Sequence, residues 1–151
     1  MLNRLKQVFK SLKENDVHYL VIGGIATILY GIPRTTFDLD ILIEPTMENA
    51  ENLLKAFLNA GLITADLTSP EELLKNEITV FKDVVRIDVQ TQTPGIMFSE
   101  AWNHKNIVNC EGQDILVVSL KDLIASKEAS SRDVDKQDVV LLKRYGNDKE
   151  K

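Results

Sequence analysis

Two aspartates one residue apart, Asp38 and Asp40, stand in an apolar run that continues Ile41-Leu42-Ile43. Alternate residues of a strand face the same way, so this spacing sets two carboxylates side by side on one face. Such a pair repels itself, and each group costs free energy to desolvate unless a cation is shared. The pair therefore asks for a divalent metal ion. Upstream, across thirteen intervening residues, Gly23-Gly24 closes another apolar run, Tyr19-Leu20-Val21-Ile22. A glycine pair that ends a strand and opens a helix offers backbone N–H groups to an anion, with no side chain to block its approach. Tight strand–helix packing alone would also call for two small residues. A metal site and a phosphate cradle this close together imply chemistry on nucleoside triphosphates.

The elements that must hold these residues can be read from periodicity. Leu2, Leu5, Val8, Phe9 and Leu12 recur at helical spacing and predict a helix ending near Asn15-Asp16. Val17 to Ile22 reads as a buried strand, and Gly23-Gly24 turns into a short helix, Ile25 to Tyr30, closed by Gly31. Pro33 keeps Ile32 extended on the way to Arg34-Thr35-Thr36. A second strand follows over Phe37 to Glu44, with Phe37, Leu39, Ile41 and Ile43 facing away from the aspartates. A helix over Glu48 to Asn59 is closed by Gly61, and another lies around Glu71 to Asn76. Ile78 to Phe81, a tight Lys82-Asp83 connection and Val84 to Gln90 predict a hairpin, in which Arg86, Asp88 and Gln90 share one face. Ile107 to Cys110 and Ile115 to Val118 form another strand pair. Ser119 caps a helix running to about Ala129, a last helix spans Asp133 to Tyr145, and the tail Gly146 to Lys151 is expected to fray. His104 falls in a loop on this reading, and Trp102 and Cys110 read as structural.

Composition bounds the function classes. The chain of 151 residues is expected to form one domain, 1–151, with a core that needs no staples. A single cysteine, Cys110, excludes an intrachain disulfide and a cysteine-rich zinc site. The two histidines, His18 and His104, lie in unrelated contexts, which argues against a histidine metal site. A net charge of -5 argues against a sequence-independent electrostatic grip on nucleic acid and leans towards a small cationic substrate, without excluding a local basic patch. The opening Met1 to Lys6 reads as an amphipathic helix rather than a signal peptide, and no segment approaches the ~20 apolar residues of a membrane span. The expected location is cytoplasmic, with no membrane partner.

The arrangement Val21-Ile22-Gly23-Gly24, thirteen residues, then Asp38-Leu39-Asp40-Ile41 resembles the nucleotidyltransferase superfamily that shares the DNA polymerase β catalytic fold. That resemblance implies an α/β (α+β) fold: a mixed sheet of about five strands flanked by helices, with the C-terminal helices packing near the site. It also implies a third carboxylate on a nearby strand, a role that Asp88 fits. A closer resemblance is to small bacterial nucleotidyltransferase-like proteins that include the toxin half of AbiE-type toxin–antitoxin pairs. It is carried by the segment from Gly31 through Arg34 and Thr36 to Asp38 and Asp40, and by the late segment Lys127, Arg132, Asp135 and Asp138. The match spans about Val17 to Leu142.

What the resemblance implies is a metal-dependent transfer of a nucleoside monophosphate from a nucleoside triphosphate (NTP) to a hydroxyl acceptor: RNA, a protein or a small molecule. Asp38 and Asp40 would share one Mg2+ or Mn2+ ion and, with Asp88, bridge a second; Asp88 could also act as general base. Gly23, Gly24, Lys127 and Arg132 would hold the triphosphate, and Asp135 and Asp138 would orient Lys127 or Arg132. Arg34 reads equally as a solvated loop cation or a phosphate or acceptor contact, and Thr36 as a contact or a simple strand former. An antitoxin is the implied protein partner. The competing reading is a catalytically degenerate module that binds nucleotide or protein, since fold does not dictate function.

Overall fold

The structure, a computed structural model, describes residues 2–147; Met1 and the tail from Asp148 onward lie outside the described residues. Six strands form one mixed sheet in the order β3-β4-β2-β1-β6-β5. Helix α1 (Leu2–Glu14) leads into β1 (Tyr19–Ile22), whose four residues are all buried. Helix α2 (Gly23–Leu29) then starts directly on the glycine pair, and Gly31, at φ 99°, supplies the turn that ends it. Strand β2 (Asp38–Ile43) runs antiparallel to β1 and parallel to β4 (Arg86–Gln90), so it sits centrally, with ladders on both sides.

The remaining elements brace this centre. Thr46 caps α3 (Met47–Asn59) by accepting from the Asn49 N–H, and Ser69 caps α4 (Pro70–Lys75) in the same way, with proline at the first helical position. Strand β3 (Ile78–Lys82) pairs antiparallel with β4 to complete one edge. Helix α5 (Phe98–His104) precedes the hairpin of β5 (Asn106–Cys110) and β6 (Gln113–Val117), and β6 joins β1 in parallel. Ser119 caps α6 (Leu120–Glu128), which packs on α7 (Asp133–Tyr145). Among the described residues no helix is long and apolar enough to cross a membrane.

The core lies on both sides of the sheet: Leu39, Ile41, Ile43, Ile87 and Val89 on one side meet Phe57 and Leu53 of α3, while Tyr30 anchors the other. Tyr30 donates its hydroxyl to Val118 O and accepts from Asn106 Nδ2, joining α2 to β5 and the end of β6.

Several expectations need correction. The sheet has six strands rather than about five. Phe37 is 78% exposed, because the β2 ladder begins at Asp38 and leaves Phe37 beyond the last cross-strand pair. His104 ends helix α5 instead of lying in a loop, and a 3-10 turn over Ile63–Leu67 was not anticipated. The hairpin connection spans Asp83 to Val85, closed by the Asp83 N–H donating to Val85 O. Of the tail expected to fray, Gly146 N–H donates to Leu142 O and Asn147 N–H to Tyr30 O, while the expectation for 148–151 lies outside the described residues.

Candidate active site

The β2–β4 register decides the site. Asp40 stands opposite Asp88 and Asp38 opposite Arg86 in a parallel pair, so residues from distant parts of the sequence share one sheet face. One carboxylate oxygen from each of Asp38, Asp40 and Asp88 lies within 4.8 Å of the other two. Burial, followed by the charges of Asp38 and then Asp88, pushes the Asp40 carboxyl up to about 7, against the weaker pull of Arg132 and Lys127. A proton or a cation must therefore settle this cluster near neutral pH. Three hard carboxylate ligands fit Mg2+ or Mn2+ better than a softer metal.

Gly23 and Gly24 sit against the site's own side chains. Gly23 has φ 69°, and a Cβ there would overlap Asp40 Oδ2. A Cβ at Gly24 would lie 3.0 Å from Thr36 Oγ1 and 3.3 Å from Arg34 Nη1. The glycine pair thus makes room for the carboxylate and for the loop before β2, a requirement in addition to any phosphate approach. Thr36 donates over 3.3 Å to Asp38 O and lies 3.4 Å from Asp38 Oδ1.

Beyond Arg34, helices α6 and α7 carry a buried ion network. Lys127 Nζ donates to Asp138 Oδ2 at 2.9 Å and Asp135 Oδ1 at 3.1 Å, and all three residues are buried. Arg34 Nη1 reaches the same Asp138 oxygen at 2.8 Å. Burial pushes the Asp135 carboxyl up, but the Ser130 hydroxyl at 2.6 Å and the Lys127 charge outweigh it and hold the group below its ordinary value. Arg132 joins this network at its exposed rim, 68% exposed, with Nε 3.7 Å from Asp135 Oδ2.

A cleft of about 670 Å³ brings these groups together. It is lined by Asp38, Asp40 and Asp88 with Gly23, Gly24, Arg34, Thr36, Lys127, Arg132 and Asp135. Asp138 stands behind, bonded to Lys127 and Arg34. The cleft also takes in Arg86, Ser130 and Gln90, which sequence reasoning did not single out. Arg86 grips both oxygens of Asp88, with Nε 3.0 Å from Oδ1 and Nη2 3.3 Å from Oδ2. The signal for it was available, since Arg86 and Asp88 alternate on one strand face. Trp102 lies elsewhere, stacked on His18 at 4.7 Å and on Phe98 at 5.4 Å.

Solved structures similar to this one include the following two. An antigenic nucleotidyltransferase-like protein from Paracoccidioides brasiliensis superposes with a TM-score of 0.59 at 18% identity, covering 89% of this chain and 71% of that one. A candidate nucleotidyltransferase from Thermotoga maritima gives 0.55 at 17% identity, covering 95% and 84%. At such identity the likeness speaks for the fold alone. No curated protein matches the chain by sequence. A family model for nucleotidyltransferases of unknown function (DUF6036) matches residues 2–143, and the chain belongs to that family.

Proposed function

We infer that this protein transfers a nucleoside monophosphate from an NTP to an acceptor hydroxyl, in a reaction that depends on Mg2+ or Mn2+. The observation that carries this reading is the Asp38, Asp40 and Asp88 cluster, with the Asp40 carboxyl pushed up to about 7. A divalent ion bound there would supply charge neutralisation of the phosphates and acidify the acceptor hydroxyl. Asp38 and Asp40 would hold the ion that draws the triphosphate in, and Gly23 and Gly24 leave its path open. Arg132, the exposed cation of the α6–α7 wall, meets the phosphate oxygens, with Arg34, Thr36 and Lys127 defining the wall behind them. Asp88 accepts the hydroxyl proton as the hydroxyl oxygen bonds to the α-phosphorus. The bond from that phosphorus to the β-phosphate oxygen breaks, and pyrophosphate leaves.

The finer kinship with AbiE-type toxins rests on the Gly31–Asp40 and Lys127–Asp138 segments, and with it come RNA as acceptor and an antitoxin as partner. Incubation with each labelled NTP, Mg2+ or Mn2+, and pools of RNA, protein and small hydroxyl compounds tests the transfer. Label should move to one pool and be lost in Asp38→Asn and Asp40→Asn; transfer that survives both substitutions rejects the assignment.

One observation favours a second reading, a nucleotide-binding module without turnover. Lys127 is already held by two buried carboxylates, leaving Arg132 as the exposed cation of that wall. Calorimetry separates the two readings: metal-dependent NTP binding with no label transfer to any pool supports the module.

A further inference from the structure

The site-facing side of the β3–β4 hairpin continues past the carboxylates as an open strip. Its antiparallel register sets Val80 opposite Asp88, Lys82 opposite Arg86 and Ile78 opposite Gln90. Directly opposed residues point to the same side of a sheet, so these six share the face that carries Asp88. Their neighbours Phe81, Ile87 and Val89 are buried on the other side. Ile78 is 52% and Val80 43% exposed, and Lys82 is exposed as well. Ile78, Arg86 and Gln90 line the carboxylate cleft, so the strip borders it, with Val80 and Lys82 outside that lining. The other walls of the cleft are taken by Gly23, Gly24 and Thr36 and by the Ser130–Arg132 turn.

We propose that this strip is the acceptor subsite, and that the acceptor carries a phosphate close to its reacting hydroxyl, as sugar phosphates, nucleotides and nucleic-acid strand ends all do. The proposal rests on the transfer reading above and names its acceptor class. Lys82 and Arg86 oppose each other directly, and of the two only Arg86 has an anionic partner, Asp88, so an anion held between them would relieve their like charges when that partner is engaged elsewhere. Lys82 forms no salt bridge among the described residues. The two cations stand one step, two residues or about 7 Å, along the strands from the Val80–Asp88 pair. A hydroxyl that meets Asp88 therefore places a phosphate a few bonds away within reach of both.

The Arg86 fork, now on Asp88, suits a phosphate as well as a carboxylate and is freed when Asp88 turns to the hydroxyl. Val80 and Ile78 offer apolar surface to the acceptor's carbon skeleton. The net charge of -5 leans towards a cationic substrate, but charges beyond about 10 Å are largely screened at ordinary ionic strength, so this local pair of cations decides. The bonds made and broken are those of the transfer already described.

The test is calorimetry on the intact protein with Mg2+, first without and then with a non-hydrolysable NTP analogue. Ribose is compared with ribose 5-phosphate, adenosine with its 5′-monophosphate, and a short oligoribonucleotide forms a third arm. The phosphorylated member of each pair should bind at least about tenfold tighter, and Lys82→Glu should erase that ratio. Val80 and Ile78 methyl resonances should shift on binding, and the tightest arm identifies the source of the phosphate. Equal affinity within the pairs, a ratio unmoved by Lys82→Glu, or unmoved Val80 and Ile78 methyls overturns the proposal. Binding of the NTP analogue that ignores Asp38→Asn and Asp40→Asn instead overturns the transfer reading, while the titrations without analogue still decide the acceptor face.

Discussion

Asp40 is where one residue's chemistry reaches furthest. Its carboxyl is pushed up to about 7 by burial first and by Asp38 and Asp88 next. The folded chain therefore holds a proton there that the unfolded chain has released above its ordinary value of 3.8. The stability this group contributes is complete in acid below that ordinary value and is lost as pH rises through about 7. Asp135, held below its ordinary value, has the opposite sign and loses its contribution only in more acidic solution, so the two windows do not overlap. The metal-free protein should melt at progressively lower temperature from about pH 5 to about pH 7 and level off above it, and Asp40→Asn should flatten that decline. Mg2+ should raise the melting temperature more at the upper end than at the lower. A profile unchanged in Asp40→Asn would show that the cluster does not govern it. Gly23→Ala should cost roughly 1–3 kcal/mol, through its positive φ and the overlap with Asp40, and should weaken Mn2+ binding along with stability.

At the scale of elements, the α6–α7 turn and the loop before β2 are joined by one buried ion network rather than by apolar packing alone. Lys127 is shared by Asp135 and Asp138, and Asp138 is shared in turn with Arg34. Removing one partner of such a network strands charge in the interior. Lys127→Met should thus cost roughly 3–5 kcal/mol in urea unfolding, and adding Asp138→Asn should return part of it. A double variant that loses the sum of the two single losses would mean the groups act independently. The helices themselves were legible: Ser119 marked the start of α6, and α7 runs from Asp133 to Tyr145 as expected. The pairing of Asp135 and Asp138 with Lys127 was legible too, but the burial of all three and the share taken by Arg34 were not, since nothing local says that these groups face inward or that the loop before β2 reaches them. Helix α5 was missed for a related reason. It is seven residues long and has no side-chain cap, so its only signal is packing, through Phe98 and Ala101. Phe37 misled because an apolar residue before a strand reads as part of it, while the ladder starts one residue later.

Across the whole molecule the candidate site draws on β1–α2, β2, β4 and the α6–α7 turn, segments that meet only when the sheet is complete. The aspartate pair and the glycine pair could be read from spacing, but the Asp40–Asp88 pairing is a parallel contact between strands joined by a long crossover. Asp88 could be nominated only by resemblance, and its grip by Arg86 only from the register. We predict that the described residues, which share one six-stranded sheet, unfold as one unit. Metal binding tests this, because an ion that binds the folded state alone stabilises it by about 2.7 kcal/mol at a hundred times its dissociation constant. The single tryptophan, Trp102, lies on α5 against His18 and Phe98, away from the cleft. Urea unfolding followed by Trp102 fluorescence and by far-ultraviolet circular dichroism should therefore shift to the same higher midpoint when Mn2+ is added. In Asp38→Asn neither midpoint should move. A circular dichroism midpoint that rises while the Trp102 midpoint stays put would mean that the α5 region unfolds separately from the metal-holding strands, and the chain would then be two cooperative units.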